Sequence, residues 1–263
     1  MKIAVAYKWA ADPAEASVSE AGQVDWSRAK PAISEYDAVA IQVARDLATA
    51  SGAELVGLTV GPPAVAAPLA AKAALARGLD SLVAVVDESL AGARADAART
   101  GQALAAAVRA VGEVDLVVMG DCSIDQGAGL VPGATAGCLG WPALLEASRI
   151  ALDGPVVRVW REAGGAAEEL ELTGPAVIGV ASGAVTPKAP GMKDVLSAAK
   201  KPVRQLTAEE AGIGAAAGRV VATGRLDAPT RRGVVIDATD PVAAAAELID
   251  ALVADGIVAG SGR

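Results

Sequence analysis

The chain alternates short, apolar, β-rich runs with longer alanine-rich stretches that have helical spacing. The strand-like runs are residues 3–7, 55–60, 82–86 and 116–120. The helix-like stretches are residues 36–50, 65–77, 91–110 and 130–139. Because strands that alternate with helices form a parallel sheet covered on both faces, this rhythm predicts an α/β fold with an open, mostly parallel sheet.

The rhythm changes at about residue 150, where helix-like stretches give way to successive strand-like runs. These runs are residues 156–161, 168–172 and 177–180. Turns such as Gly164-Gly165 separate them, and no space is left for helices. Strands joined by short turns pair in antiparallel fashion, so an antiparallel extension of the sheet is expected here.

The last sixty or so residues look like an arm and not like an independent domain. We place the main domain at residues 1–203 and the arm at residues 204–263. A linker is expected over 208–218, then a strand pair near Val220 and 234–236. A closing helix should follow, with Thr239 or Asp240 as its cap and Pro241 in its first turn. Because the arm has too few apolar residues to fold alone, it is expected to pack on a partner subunit.

Composition excludes several functional classes. The chain has no histidine, which removes Ser-His-Asp and Cys-His nucleophilic machinery, the commonest general base and the commonest metal ligand. We therefore expect no self-contained catalyst, no catalytic residues and no metal site. Lys and Arg number 23 against 31 Asp and Glu, a net charge of −8, which disfavours nucleic acid as a partner.

Membrane insertion and disulfide chemistry are not expected either. The apolar runs are short and are broken by Gly, Pro or charged residues. The N-terminal run stops at Lys8 without the long apolar stretch of a signal peptide. Cys122 and Cys138 fit neither a disulfide framework nor a zinc-site spacing, and are interpreted as small buried residues. A cytoplasmic location is the resulting expectation.

The junctions between strands and helices carry the residues that suit ligand binding. They are residues 59–62 after the second strand, 120–129 after the fourth, and 34–37 before the first long helix. In an open α/β sheet, ligands bind beyond the carboxyl ends of the strands, where helix N-termini offer free N–H groups to phosphate. The glycine-rich loop 120–129 is neither a Walker loop nor GxGxxG, and a plain turn is an equal alternative.

Two side chains in these junctions also have interpretations that need no ligand. Ser34 and Asp37 fit a capping box, with serine at the N-cap and an acid three residues later. Asp125 could cap a turn within its own loop. Both alternatives stay open at the level of sequence.

In order and spacing, several stretches resemble the electron transfer flavoprotein β subunit family from residue 1 to about residue 202. These stretches are Ser34-Glu35-Tyr36-Asp37 before a helix, Ala74-Leu75-Ala76-Arg77-Gly78-Leu79-Asp80, Gly120 through Ile124-Asp125 to Leu139-Gly140-Trp141-Pro142, and Pro187-Lys188 through Ala198-Ala199-Lys200-Lys201-Pro202. The family's Asn-Pro is Ser34-Glu35 in this chain, and Gly127 and Leu130 replace polar residues. The family's flavin-proximal Tyr corresponds to Pro13, so contact with the flavin is expected to differ.

The resemblance implies the small subunit of a heterodimer that shuttles electrons from dehydrogenases to a quinone oxidoreductase or another acceptor. FAD would be bound mainly by the α subunit, and AMP or a second FAD by this subunit. Carried over by position, the nucleotide site comprises Ala6, Ser34, Glu35, Tyr36, Asp37, Val60, Asp125, Gln126, Gly127, Ala128, Gly129, Leu130, Val131, Pro132, Gly133, Ala134, Thr135 and Ala136. The alternative function is an adenine-nucleotide-binding regulatory module of the universal-stress-protein type, without redox activity.

The resemblance also implies a docking segment for dehydrogenases over residues 187–200. Met192 stands where the family presents an apolar side chain to its partners, and Lys188 and Lys193 lie close to it in sequence. A rigid loop followed by a short helix is expected in this segment. An exposed methionine suits a docking anchor, whereas a methionine in the core is the competing interpretation.

Overall fold

The computed structural model describes residues 1–19, 22–91, 96–214 and 232–258. The helices are α1 (Glu35–Ser51), α2 (Pro68–Leu75), α3 (Ala97–Val111), α4 (Val131–Leu139), α5 (Met192–Ala198) and α6 (Pro241–Ala254). The strands are β1 (Lys2–Ala6), β2 (Trp9–Ala11), β3 (Ser17–Val18), β4 (Val24–Asp25), β5 (Pro31–Ile33), β6 (Glu54–Gly61), β7 (Ser81–Val86), β8 (Leu116–Gly120), β9 (Ala143–Asp153), β10 (Val156–Ala163), β11 (Ala166–Thr173), β12 (Ala176–Val180) and β13 (Val203–Thr207). The chain divides into two compact units, Met1–Thr223 and Gly224–Arg263.

A nine-stranded sheet forms the centre of the first unit, in the order β11-β10-β9-β12-β8-β1-β6-β7-β13. From β9 through to β13 every neighbouring pair is parallel. Strands β10 and β11 continue the sheet beyond β9 in antiparallel fashion. The predicted α/β fold with a mostly parallel sheet and an antiparallel extension is therefore confirmed.

The sheet is buried on both faces because its central strands are apolar on both sides. In β1, Ile3 and Val5 belong to one hydrophobic cluster and Ala4 and Ala6 to the other. Helices α1, α2 and α5 contribute to the first cluster, and α3 and α4 to the second. This double burial explains why the predicted strands are continuous apolar runs and not alternating ones. Among the residues described, no helix has the length and apolar character needed to cross a bilayer.

Small residues let the helices approach closely. A Cβ built on Gly101 of α3 would lie 2.8 Å from the carbonyl carbon of Ala134 in α4. Because real Cβ contacts do not come this close, glycine is required where these two helices meet. The abundance of alanine serves the same purpose, since helices with short side chains can lie close to one another and to the sheet.

The structure corrects the assignment of one strand and adds two strands to the main sheet, β9 and β13, that the sequence did not reveal. Residues 177–180 were expected in the antiparallel extension, but β12 lies between β8 and β9 and is parallel to both. All five of its residues are buried, as in a central parallel strand. The long strand β9 was missed because its Ala- and Leu-containing sequence has no clear period of two.

The beginning of the predicted arm lies within the first unit. Strand β13 pairs with β7 at the edge of the sheet, and the residues that follow it fold back, with Ile213 N–H donating to the Ala208 carbonyl at 2.8 Å. Ala208 is buried and Ile213 packs on the core. The linker predicted over 208–218 is therefore packed structure up to residue 214, and residues 215–218 lie outside the described ranges.

The second unit contains α6, which begins as the sequence predicts. The Asp240 carboxylate accepts hydrogen bonds from the Val242 and Ala243 N–H groups, and Pro241 occupies the first turn. The strand predicted at 234–236 is wrong, because these residues have no regular secondary structure. A strand needs a hydrogen-bonded neighbour, and the described part of this unit supplies none. Val220, its predicted partner, lies outside the described residues.

Candidate functional site

The fold brings most of the predicted nucleotide-site segments to one edge of the sheet. Strands β6, β1 and β8 are parallel neighbours, so their carboxyl ends lie side by side. Ala6 ends β1, Val60 lies at the end of β6, and the loop 121–130 leaves β8 for α4. Helix α1 starts at this same edge, since Gly120 N–H contacts a side chain of its first turn. This edge is where open α/β sheets bind ligands.

The first turn of α1 is not a capping box. The Ser34 side chain makes no capping hydrogen bond; its Oγ instead accepts from Ile124 N–H in the loop after β8, at 3.2 Å. The Asp37 carboxylate accepts from Lys8 N–H at 2.8 Å through Oδ2 and from Gly120 N–H at 3.2 Å through Oδ1. Both side chains therefore position the loops around the site, and neither satisfies its own helix.

Burial gives Asp37 an unusual titration. Its side chain is 6% exposed, and loss of solvation raises the pKa of the Asp37 carboxyl to about 7, although the hydrogen bonds from Lys8 and Gly120 oppose the shift. Its two backbone donors come from the ends of β1 and β8. Asp37 therefore joins α1 to both strands at the edge where the loops converge.

Glycine is required at the end of β8 because α1 passes directly over it. A Cβ on Gly120 would lie 2.8 Å from Asp37 Oδ1 and 2.9 Å from the Tyr36 carbonyl carbon. The close approach of α1 is therefore the reason for glycine at position 120, where the backbone conformation itself does not require it. Gly127 and Gly129, by contrast, have φ values of +58° and +65°, where side chains are strained.

Lys8 is the residue of this edge that the sequence interpretation missed. It follows β1 by two residues, and its Nζ lies 2.7 Å from Asp125 Oδ2 and 2.9 Å from Oδ1. Partial burial raises the pKa of Asp125, but the hydrogen bonds from Lys8 and Ser123 outweigh it and hold this pKa below its usual range. Asp125 therefore does more than cap its turn, because it joins the loop to the end of β1. The position of Lys8 directly beyond the first strand was the available signal.

A third side chain ties the loop to the neighbouring strand. The Asp121 carboxylate accepts a hydrogen bond from Glu146 N–H in β9 at 3.1 Å. Glu146 has a φ of +60°, and no other non-glycine residue in the described ranges has a positive φ. The loop 121–130 is therefore held by α1 through Ser34, by β1 through Lys8 and by β9 through Asp121.

The start of α4 leaves backbone N–H groups without a side-chain cap. Leu130 is the N-cap residue and makes no side-chain capping bond. Gly133, in the first turn, is exposed, and a Cβ there would meet no atom within 4 Å. Thr135 and Ala136 are 0% and 2% exposed, and the Thr135 hydroxyl donates to the Val131 carbonyl. Of the α4 residues, the first turn is thus open to a phosphate, whereas Thr135 and Ala136 face the core.

A groove of about 500 Å³ lies beside this loop. Its lining includes Tyr36 and Val39 of α1, Ile124 of the loop, and Ser182 and Pro187 from the segment after β12. It therefore separates the loop from the predicted docking segment. A larger groove of about 770 Å³ lies between the second half of α1 and β9 and contains none of the predicted site residues.

The predicted docking segment has the expected form of a loop followed by a helix. Met192 is the first residue of α5 and is 77% exposed, so the interpretation as a core methionine is wrong. Lys188 and Lys193 are also exposed. The loop before α5 is fixed to α1, because Lys188 N–H donates to the buried Gln42 Oε1 at 3.1 Å.

The sheet, with its open loop at the carboxyl edge, defines this chain as a doubly wound α/β protein of the kind that binds ligands beyond its strand ends. The family model of the electron transfer flavoprotein domain matches residues 22–211. The chain belongs to the electron transfer flavoprotein family, whose members carry electrons and bind flavin.

Proposed function

We propose that this chain is the small, β-type subunit of a heterodimeric electron transfer flavoprotein, with FAD held mainly by an α subunit and an adenine nucleotide, AMP in preference to a second FAD, held here. The observation that carries the proposal is the convergence of Ala6, residues 34–37, Val60 and the loop 121–130 at one sheet edge. Family membership favours this carrier role over a regulatory nucleotide-binding module without redox activity.

The nucleotide would be recognised chiefly by backbone groups. Gly127 and Gly129 place no side chain between the loop backbone and a ligand, and the uncapped first turn of α4 offers N–H groups with the favourable end of the helix dipole. Ser34 and Asp37 keep these groups in place through Ile124, Gly120 and Lys8. Ser34 and Asp37, predicted as nucleotide-binding residues, would therefore serve the site by positioning the loop.

The second unit supports the proposal of an obligate partner. Helix α6 has no buried residue, and Val242 and Ile249 are 80% and 51% exposed. A helix of this apolar character becomes stable by covering an apolar surface, because its propensity alone gives only marginal stability in water. The α subunit is the proposed surface.

The exposed Met192 supports docking of flavin-dependent dehydrogenases. An unbranched, flexible thioether adapts to pockets of different shape, and Lys188 and Lys193 would meet an acidic rim around such a pocket. The electrons would pass on to a quinone oxidoreductase or another acceptor. No side chain of this subunit is assigned a catalytic role, because the flavin supplies the redox chemistry.

Co-expression with a candidate α subunit tests the proposal directly. The expected result is a stoichiometric complex that contains FAD and releases AMP, or a second FAD, when it is denatured and its small molecules are identified by mass spectrometry. A chain that remains alone and flavin-free with every α-type subunit encoded beside it would contradict the heterodimer proposal.

A further inference from the structure

We propose that Lys8 binds the phosphate of the nucleotide at the carboxyl edge, and that Asp125 is an internal anion that competes with this phosphate for the lysine. The inference rests on the proposed nucleotide-binding function and adds to it a residue that the family resemblance did not indicate. It concerns the shared chemistry of adenine nucleotides, a phosphate group, and not the identity of one nucleotide.

The segments predicted to form the site carry negative charge and no basic residue. Residues 34–37, Val60 and 120–136 contain no Lys, Arg or His, whereas they include the carboxylates of Glu35, Asp37, Asp121 and Asp125. An anionic ligand placed among these carboxylates would be repelled, since like charges at such distances disfavour binding. Lys8 is a cation that the fold adds to this edge, so it can offset the repulsion.

Lys8 is held by its backbone just beyond the end of β1. Its backbone N–H is fixed by Asp37 Oδ2 at 2.8 Å, and Lys8 lies two residues beyond Ala6, the last residue of β1. The side chain of Lys8 is 37% exposed and that of Asp125 is 18% exposed. When the ammonium exchanges partners, the Asp125 carboxylate keeps the hydrogen bond from Gln126 N–H at 3.0 Å. The lysine is thus anchored at its backbone, while its partly exposed ammonium, held by Asp125, lies where a phosphate can reach it.

The partner of Lys8 is the Asp125 carboxylate. Both oxygens of the Asp125 carboxylate lie within 2.9 Å of Lys8 Nζ, and Asp125 belongs to the glycine-rich loop that faces the same ligand. A carboxylate that forms an ion pair with the lysine ammonium makes the same kind of contact that a phosphate oxygen would make. The ion pair therefore both shapes the loop and sets the affinity for a phosphate.

The test compares AMP with adenosine, because only AMP carries the phosphate. Dissociation constants for both are measured by calorimetry on the full-length protein as purified, after bound nucleotide is removed. Lys8→Met keeps the backbone anchor and the chain length but removes the charge. It should weaken AMP binding roughly ten- to hundred-fold, the range expected for charge-assisted hydrogen bonds, and leave adenosine binding unchanged.

Two further variants complete the experiment. Lys2→Met is the matched control, since Lys2 lies at the amino end of the same strand and pairs with Glu54; it should leave the preference for AMP over adenosine unchanged. Asp125→Asn removes the competing anion, so it should increase that preference even if Lys8→Met were to fold poorly.

The outcomes separate this inference from the proposed function. If Lys8→Met and Asp125→Asn both retain the wild-type preference for AMP, the ion pair is only a structural tie and the inference is overturned. If the wild-type protein binds neither AMP nor adenosine, the proposed nucleotide site is wrong. A loss of AMP preference in Lys2→Met as large as in Lys8→Met would show a general charge effect and would also overturn the inference.

Discussion

At the scale of single residues, the carboxyl edge depends on side chains that join distant segments. Asp37 receives N–H groups from the ends of β1 and β8, and Ser34 receives one from the loop that follows β8. Neither contact satisfies α1 itself, although the sequence pattern is that of a capping box. Ser34 and Asp37 match the pattern of a local helix cap, but their side chains accept hydrogen bonds from segments that are distant in sequence.

The raised pKa of Asp37 predicts a pH-dependent stability. Because the folded-state pKa of about 7 lies above the ordinary value of 3.8, the folded chain holds this proton more tightly than the unfolded chain. The associated stabilisation is full below about pH 4 and is lost as the pH rises through 7. Integrated over this window, it has an upper bound of about 4 kcal/mol at roughly 1.4 kcal/mol per pKa unit.

Asp37→Asn supplies the comparison, since asparagine cannot titrate and any lost hydrogen bond contributes an offset that does not depend on pH. The free energy of unfolding is measured with urea for both proteins from pH 5 to pH 8. The wild-type value should fall relative to that of the variant as the pH rises. A difference that stays constant over this range would show that Asp37 is ionised throughout.

At the scale of elements, the first turn of α4 is the part of the proposed nucleotide site that can be tested without backbone strain. Gly127 and Gly129 have positive φ values, so a side chain at either would disturb the loop as well as any ligand. Gly133 and Gly137 have neither positive φ nor a neighbour within 4 Å of a built Cβ, and both are exposed. They form a matched pair at the two ends of one helix.

Gly133→Leu should lower nucleotide occupancy several-fold, because its side chain would enter the space where phosphate approaches the uncapped N–H groups. Gly137→Leu should leave occupancy unchanged. Both substitutions replace glycine in a helix and should stabilise the chain by up to about 1 kcal/mol. Nucleotide released per protein, quantified by mass spectrometry, distinguishes the variants; equal occupancy in both would remove the start of α4 from the site.

Helix α5 is the element proposed to dock dehydrogenases. Met192→Ala should weaken the interaction by about 1–3 kcal/mol, roughly a five- to hundred-fold loss of affinity. The apparent KM for a cognate dehydrogenase should rise, while reduction of the flavin by dithionite should be unchanged. The melting temperature should also be unchanged, since Met192 is 77% exposed.

Leu196→Ala is the control for this prediction, because Leu196 lies one turn further along α5 and is 64% exposed. A small effect is expected, since one anchor in a pocket dominates such contacts. If both variants impair electron transfer equally, α5 docks through a broad apolar face and Met192 is not a specific anchor.

At the scale of the whole molecule, the two units differ in how they are stabilised. The first contains a sheet buried on both faces by two hydrophobic clusters. The second shows a capped helix without a buried residue in its described part. A domain gains stability from apolar area removed from water, so the first unit can account for its own folding, whereas the second is proposed to depend on a partner.

Removal of residues 224–263 tests this division. The boundary follows the compact units, because Ala208 and Ile213 pack on the first unit and must be retained. The truncated chain should lose little circular dichroism signal beyond that of α6 and should keep cooperative unfolding, but should no longer co-purify with the α subunit. A stoichiometric, flavin-containing heterodimer formed by the truncated chain would contradict the role proposed for the arm.

The sequence by itself determined the class of fold, most of the helices and the strand-to-helix junctions that meet at the carboxyl edge. Apolar periodicity depends on neighbours along the chain, so it predicted α1, α3 and α4 and the parallel strands β1, β6, β7 and β8. The N-cap of α6 could likewise be predicted from the sequence, since Asp240 and Pro241 act within one turn. The glycine-rich loop was recognisable because its residues are contiguous.

Only the tertiary structure decided the order of the strands and the partners of the charged side chains. Nothing local in residues 177–180 shows that β12 lies between β8 and β9. Lys8 and Asp125 are separated by 117 positions, and the burial that raises the pKa of Asp37 comes from segments elsewhere in the chain. Pairing and burial depend on which segments meet in space, and that is settled by the packing of the whole sheet and its helices.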